Sequence, residues 1–154
     1  MIERAFAAAF FTLCLAQGGA AQAATVRLDD SASQVFPPAA QWNWAPGSLR
    51  SGSQNLHMNL VVKVRIDTRA LAGQTGRVYM VLPVDNEGQA VAEWQAEGRL
   101  LGGRLVSGER ALVYSGTLPA QMLEDTLRVR LTADARTMSD EARRLAFHFE
   151  FDSP

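Results

Sequence analysis

Alternation between apolar and polar residues dominates the sequence from residue 25 onwards. The longest run covers 55–67, where the even positions from Leu56 to Ile66 are apolar and the odd positions are mostly polar. Side chains two residues apart lie on the same face of a β-strand, so this run predicts a strand with one buried and one solvated face. We expect the even positions to face the core.

The same alternation recurs in shorter runs that predict further strands, at 25–29, 77–84, 90–96, 98–106, 111–118, 127–134 and 145–152. Pro83 lacks an amide donor, which predicts a sheet edge or an irregular strand end there. Gly102 and Gly103 predict a bulge or bend. Helical signals are weak, and we expect at most one or two helical turns, at 119–125 and 139–144. The segments 31–40 and 46–54 predict irregular structure.

Short strands separated by turn signals about every ten residues are typical of an antiparallel sandwich. We therefore predict an all-β fold, a single antiparallel β-sandwich of about seven to nine strands over residues 24–154. An immunoglobulin-like or a transthyretin-like arrangement suits this pattern. The Cys…Trp…Cys pattern of true immunoglobulin domains is absent, so the sequence predicts an architecture and no family.

The first 23 residues differ from the rest of the chain. Arg4 precedes an apolar run over 5–16, and Ala21-Gln22-Ala23 fits the small-x-small pattern of a signal-peptide cleavage site. A membrane-spanning helix needs about 20 apolar residues, whereas Gln17-Gly18-Gly19 interrupts this run. We expect a signal peptide over 1–23, a periplasmic or secreted bacterial protein, and no stable membrane anchor after cleavage.

The amino-acid composition argues against a nucleic acid partner and against thiol chemistry. The chain has 154 residues with a formal net charge of −1, which gives no basic excess for a nucleic acid partner. Its 47% apolar and 20% charged residues are ordinary for a globular domain. Cleavage of the signal peptide removes Cys14, which is the one cysteine, so we expect no disulfide and no thiol chemistry in the mature protein.

Motifs for catalysis or metal binding are absent from the sequence. It has no Gly-x-Ser-x-Gly nucleophile motif, and His57 and His148 are too far apart to form a known metal-ligand spacing. Both histidines occupy polar positions of predicted strands, where a surface role is usual. We therefore expect no catalytic residue, no metal and no cofactor. A small hydrolase built around His57 or His148 is the third hypothesis for the function.

The first candidate binding surface is a sheet face. If the strands at 126–134 and 145–152 are neighbours, Arg128, Arg130 and His148 share an outward side, to which the strand at 77–84 adds Tyr79. Tyrosine and arginine are enriched at protein interfaces. Our main hypothesis is a non-catalytic exported sandwich that binds an envelope or secreted protein on this face, as an accessory, adaptor or inhibitor in a pilus- or secretion-type context. A solvated face with no partner is the alternative.

The second candidate is the segment around Trp42 and Trp44. In an extended chain both indoles project to the same side, and paired aromatics of this kind stack on sugar rings. A carbohydrate-binding module that uses Trp42 and Trp44 as its ligand platform is therefore the alternative function, with a glycan as partner. Tryptophan side chains are usually well buried, so we favour packing at the core or its rim.

Overall fold

The structure is a computed structural model that describes residues 24–38, 41–46, 54–83, 90–136 and 147–154. The predicted signal peptide at 1–23 and the predicted helical turn at 139–144 lie outside the described residues. Within the described part of the chain, no helix is long and apolar enough to cross a membrane.

Ten β-strands and one short 3-10 helix make up the described chain. The 3-10 helix spans Arg69–Leu71 and follows the fourth strand. The strands, in chain order, are β1 Thr25–Arg27, β2 Gln34–Phe36, β3 Asn43–Trp44, β4 Asn55–Asp67, β5 Thr75–Val81, β6 Val91–Ala96, β7 Gly103–Val106, β8 Arg110–Thr117, β9 Met122–Asp134 and β10 His148–Asp152.

The strands form two antiparallel sheets packed against each other, which confirms the predicted β-sandwich. The four-stranded sheet has the order β1-β10-β5-β8. The six-stranded sheet has the order β2-β4-β9-β6-β7, and β3 pairs with the same strand β4 as β2 does. The strand count exceeds the expected range because β2 and β3 form in segments without clear alternation.

Strands β4 and β9 form the centre of the six-stranded sheet. Each has 13 residues, and they pair along their whole length, from Asn55 opposite Asp134 to Asp67 opposite Met122. The even positions of β4 are buried except for the half-buried Val62, so the predicted orientation of this strand is confirmed. The helical turn predicted at 119–125 is wrong, because residues from Met122 onwards pair with β4 and take their backbone hydrogen bonds from it.

Two short strands lie on the open side of β4: β2 is in the segment 31–40 that we predicted to be irregular, and β3 is in the Trp42–Trp44 segment. β2 pairs with residues 61–63 of β4, and β3 pairs with residues 56–57. Strands of three and two residues carry too little alternation to be recognised in the sequence, and their partner strand supplies their hydrogen bonds. This arrangement places Phe36 and Pro37 beside the centre of the sheet.

The predicted strand at 98–106 is shorter than expected. β7 begins at Gly103, and residues 97–100 form a bend whose Leu100 side chain is buried. The Asp125 carboxylate accepts hydrogen bonds from the backbone amides of Leu100 (2.7 Å) and Thr126 (2.6 Å), which ties the bend to β9. The predicted bulge or bend is not at Gly102 and Gly103: the bend lies at 97–100, and Gly103 is the first residue of the edge strand β7.

Both long strands end in an Asp-x-Arg sequence that closes the following turn. The carboxylates of Asp67 and Asp134 accept hydrogen bonds from the backbone amide and the guanidinium of Arg69 and Arg136, respectively. These hydrogen bonds lower the pKa of each aspartate to about 2. The carboxylates are therefore ionised at all ordinary pH values. The same type of Asp-Arg ion pair follows the end of both central strands.

The core lies between the sheets and is one cluster of buried apolar side chains. The four-stranded sheet contributes Phe149 and Phe151 of β10, and the six-stranded sheet contributes Leu127 and Leu131 of β9. Because these positions alternate with exposed ones, each sheet has a second, outward face. Further members of the cluster are Met58, Leu60, Val64, Ile66, Val78, Met80, Leu82, Trp94, Leu105, Val113, Leu118, Leu123 and Val129.

Gly76 on β5 is a position where the core has no space for a side chain. A Cβ atom there would lie 2.4 Å from the carbonyl oxygen of Asp152 and 2.5 Å from the ring of Phe151. We expect Gly76→Ala to lower the free energy of unfolding by about 1–3 kcal/mol, because overpacking a closed site displaces backbone or ring. Chemical denaturation measures the loss.

Gly102→Ala is the control for this prediction. A Cβ atom at Gly102 would lie 3.1 Å from its nearest neighbour, the carbonyl oxygen of Trp94, and the residue is exposed. We expect a smaller loss of stability than for Gly76→Ala. Equal losses in the two variants would contradict the close packing at Gly76.

Candidate functional site

Two of the four residues of the predicted partner face lie on the outer side of the four-stranded sheet. Tyr79 is on β5 and His148 is on the neighbouring strand β10, and both are partly buried. His148 lies opposite Val81, and Tyr79 lies opposite Glu150. The structure therefore brings Tyr79 and His148 onto one face, as the alternation predicts.

The side chain of Arg110, at the start of the edge strand β8, extends over this face. Its guanidinium lies 4.2 Å from the centroid of the Tyr79 ring and forms an ion pair with Asp152 at 2.9 Å. A hydrogen bond from the Thr25 hydroxyl (2.7 Å), followed by that from Arg110, lowers the pKa of Asp152 below its usual value. The Tyr79 ring is thus covered by a cation that is itself held by a carboxylate.

The His148 imidazole belongs to the same polar network. Its Nε2 atom lies 3.3 Å from Glu150 Oε1, and Glu150 Oε2 is 3.8 Å from Arg110 Nη1. The polar groups at the centre of this face therefore bond to one another. A face whose donors, acceptors and aromatic ring are already engaged offers few groups to a ligand.

Arg128 and Arg130 lie on the other sheet, so the prediction of one shared face is wrong. Both are on β9, in the middle of the six-stranded sheet, and point away from the core. The outward faces of the two sheets lie on opposite sides of the sandwich. Alternation shows on which side of its own strand a residue lies, but not which sheet the strand joins.

On the six-stranded sheet, Arg128 lies opposite Val61 of β4, and Arg130 lies opposite Asn59. The Arg128 Nε atom donates a 2.7 Å hydrogen bond to Glu97. Arg130 forms no ion pair with any residue that the structure describes. Glu93, its neighbour on β6, instead lies 3.8 Å from Arg104. The two arginines therefore differ, since one is partly engaged and the other is available.

A shallow groove of about 370 Å³ lies over β4, between the end of β2 and β9. Two arginines and one asparagine supply its polar side chains, and no acidic residue lines it. We call it the outer groove, and its lining residues are Phe36, Pro37, Asn59, Leu60, Val61, Arg128, Val129 and Arg130. It combines exposed apolar surface with hydrogen-bond donors.

Phe36 is the aromatic side chain of the outer groove, and the alternation pattern did not predict it. It ends β2, lies opposite Val61, and is 39% exposed, while Val61 is 38% exposed. The Lys63 ammonium lies 5.3 Å from the centroid of the Phe36 ring. An aromatic residue next to Pro37 and Pro38, in a segment of small and polar residues, was the available sequence signal.

Trp42 and Trp44 have different environments. Trp42 is partly buried and packs against the core, whereas Trp44 is 51% exposed. Trp44 lies opposite the buried Leu56, so its side chain extends from the core side of the sheet at its margin. Packing at the core rim therefore describes Trp42, and a platform of two exposed indoles does not form.

The two histidines of the hydrolase hypothesis lie on different sheets. His57 is on β4, opposite Asn43 and Thr132, and His148 is on β10 beside Glu150. They cannot belong to one site, because each faces outward from its own sheet. In the described ranges of the chain, no group of three or more His, Cys, Asp or Glu residues is placed to hold a metal ion.

A second depression, of about 390 Å³, lies at the end of the six-stranded sheet where the 97–100 bend meets β4 and β9. Its charges are of both signs and are paired: Arg65 contacts Glu124 at 2.8 Å, and Asp125 caps the bend. The outer groove, with its excess of cationic groups, is therefore the stronger candidate for a ligand.

No protein-family model and no curated protein matches this chain. The chain is weakly similar in structure to TmCBM61, a carbohydrate-binding module solved in complex with β-1,4-galactotriose (8% identity, TM-score 0.29, covering 81% of this chain and 86% of that one). It is also weakly similar to a cupin-like protein from Thermotoga maritima (8% identity, TM-score 0.20, covering 77% and 86%). Similarities of this size do not bear on function.

Proposed function

We propose that the protein is a non-catalytic binding module whose ligand, a saccharide chain, lies in the outer groove. The observation that carries this proposal is the pairing of exposed apolar surface, from Phe36 and Val61, with the polar side chains of Asn59, Arg128 and Arg130. Sugars present the same combination, since a pyranose ring has apolar C–H faces and a rim of hydroxyl groups.

Each part of the groove suits one part of such a ligand. The exposed part of the Phe36 ring and the Val61 side chain contact apolar sugar faces and remove them from water. Asn59 both donates and accepts hydrogen bonds, and the arginines donate to hydroxyl or ring oxygens. A shallow groove on a sheet face also admits an extended chain, which a closed pocket does not.

We also propose that the protein is exported and that it binds its ligand without catalysing a reaction. The signal-peptide pattern at 1–23 supports a periplasmic or secreted location, where envelope polysaccharides are accessible. The absence of a nucleophile motif from the sequence supports binding rather than turnover. Intact-mass measurement of the exported protein tests the first part, since cleavage after Ala23 leaves a chain that begins at Ala24.

Phe36→Ala tests the site. We expect this variant to bind polysaccharide about five- to thirtyfold more weakly, because the loss of an aromatic anchor costs about 1–2 kcal/mol of binding free energy. Affinity electrophoresis against a panel of soluble polysaccharides, followed by calorimetry with the best ligand, measures the change. Thermal melting confirms that the variant is folded.

Trp44→Ala is the matched control, because it removes an exposed aromatic ring outside the groove. We expect it to bind as the unaltered protein does. Loss of binding in Trp44→Ala with retention in Phe36→Ala would move the site to the β3 margin. An unaltered protein that binds no polysaccharide of the panel would overturn the proposed function.

An envelope or secreted protein is the second candidate ligand, as an accessory, adaptor or inhibitor would require. The observation that favours it is the pair of exposed apolar residues where β2 meets β4: Phe36 is 39% and Val61 38% exposed. Exposed apolar groups gathered in one place are typical of protein interfaces. A single partner recovered from envelope extract, retained in the presence of excess polysaccharide and lost in Phe36→Ala, would favour this candidate.

A further inference from the structure

We propose that the outer groove selects acidic saccharides, in which carboxylates of uronic acid units bind Arg128 and Arg130. This inference rests on the proposed saccharide-binding function and adds the chemical class of the ligand. Three observations support the inference: the charges of the residues that line the groove, the free nitrogen atoms of the two guanidinium groups, and the spacing of the two arginines along β9.

The lining of the groove contains two arginines and no acidic residue, and the Lys63 ammonium stands beside it over Phe36. The acidic residues next to the groove are paired with arginines, Glu97 with Arg128 and Glu93 with Arg104. The chain as a whole has a formal net charge of −1, so this positive surface does not reflect a generally basic protein. A local excess of cations on a nearly neutral protein attracts anionic groups to that place.

The guanidinium groups retain free donors. The Arg130 guanidinium forms no hydrogen bond or ion pair with the described part of the chain. Arg128 contacts Glu97 through Nε alone, and its two terminal nitrogens have no described partner. The terminal nitrogens of a guanidinium match the two oxygens of a carboxylate, so each arginine has donors left for a charged ligand.

The strand places the two guanidinium groups in a row. Arg128 and Arg130 project from the same face of β9, about 6.8 Å apart along the strand. A saccharide chain that lies along β9 and bears a carboxylate on its successive units meets both groups. The outer face of the four-stranded sheet differs, because Arg110 is already held by Asp152 there.

The test compares two polymers that differ only in the ionisable group. Polygalacturonate and its carboxyl-reduced form offer the same rings with and without carboxylates. We expect the purified protein to bind polygalacturonate about tenfold more tightly, a preference of about 1.4 kcal/mol. The preference shrinks as salt rises from about 0.1 M to about 1 M, because the Debye length falls from about 10 Å to about 3 Å.

Arg130→Gln and Arg99→Gln form a matched pair of variants. Each removes one exposed positive charge, but Arg99 lies in the 97–100 bend, outside the groove. We expect Arg130→Gln to weaken polygalacturonate binding about two- to fivefold, the range of an exposed charge pair, and to weaken binding of the carboxyl-reduced polymer less. Arg99→Gln leaves both affinities unchanged.

The outcomes separate this inference from the proposed function. Equal affinity for the two polymers, with binding still lost in Phe36→Ala, overturns acid selection and leaves the saccharide site intact. Equal effects of Arg130→Gln and Arg99→Gln also overturn it, because they indicate general charge attraction. No binding to either polymer or to neutral polysaccharides overturns both. Tighter binding of polyglutamate than of polygalacturonate assigns the groove to acidic peptides and likewise overturns both.

Discussion

Phe151→Ala is expected to lower the free energy of unfolding by about 3–5 kcal/mol, the usual cost of truncating a buried phenylalanine. Phe151 is 1% exposed, and its ring lies against the backbone of Gly76, so little neighbouring structure is free to fill the space. A domain of this size has a total stability of about 5–15 kcal/mol. Chemical denaturation at equilibrium measures the difference between the two proteins.

Phe36→Ala is the matched control because it removes the same ring from the outer face, where Phe36 is 39% exposed. We expect it to cost about 1 kcal/mol or less, since surface substitutions rarely cost more. A smaller loss for Phe151→Ala than for Phe36→Ala would contradict the assignment of the core. The expected result also keeps Phe36→Ala usable as a binding variant, because its protein stays folded.

Leu60→Ala is expected to lower the free energy of unfolding by about 2–5 kcal/mol, through lost burial and the cavity that remains. Leu60 is 8% exposed and belongs to the core cluster through β4. Urea denaturation measures this loss when the slope of the unfolding free energy against urea concentration is the same in the variant and in the unaltered protein.

Arg65→Ala, on the opposite side of the same strand, supplies the comparison. The Arg65 side chain is 51% exposed and pairs with an equally exposed Glu124, a contact worth about 0–1 kcal/mol. We expect Arg65→Ala to cost about 0.5 kcal/mol, well below the cost of Leu60→Ala. The reverse order would mean that the buried and exposed faces of β4 are exchanged.

Binding and stability respond to different sets of residues in these predictions. Gly76 and Phe151 lie between the sheets, whereas Phe36 and Arg130 lie on the outer surface of the six-stranded sheet. Substitutions of the first set should reduce the fraction of folded protein without changing the affinity of what remains folded. Substitutions of the second set should change affinity at nearly constant stability.

The alternation of apolar and polar residues is sufficient to predict the β-sandwich and the inward side of its longest strand. In 55–67 the alternation has a period of two over thirteen residues, and β4 has these bounds with the predicted face buried. The alternation within the strand decides which of its two faces is buried, because a shift of the register by one residue would expose every apolar side chain. The predicted helical turn at 119–125 failed because pairing with β4 outweighs the local preference of a few residues.

Which residues share a surface depends instead on how the strands pair in the folded protein. Tyr79 and His148 lie on one sheet and Arg128 and Arg130 on the other, although all four occupy outward positions of their strands. Sheet membership depends on which strands exchange backbone hydrogen bonds, and backbone groups are the same in every strand, so side-chain alternation carries no record of it. Phe36 likewise reaches the outer groove only because β2 pairs with the middle of β4, a contact between chain segments about 25 residues apart in sequence.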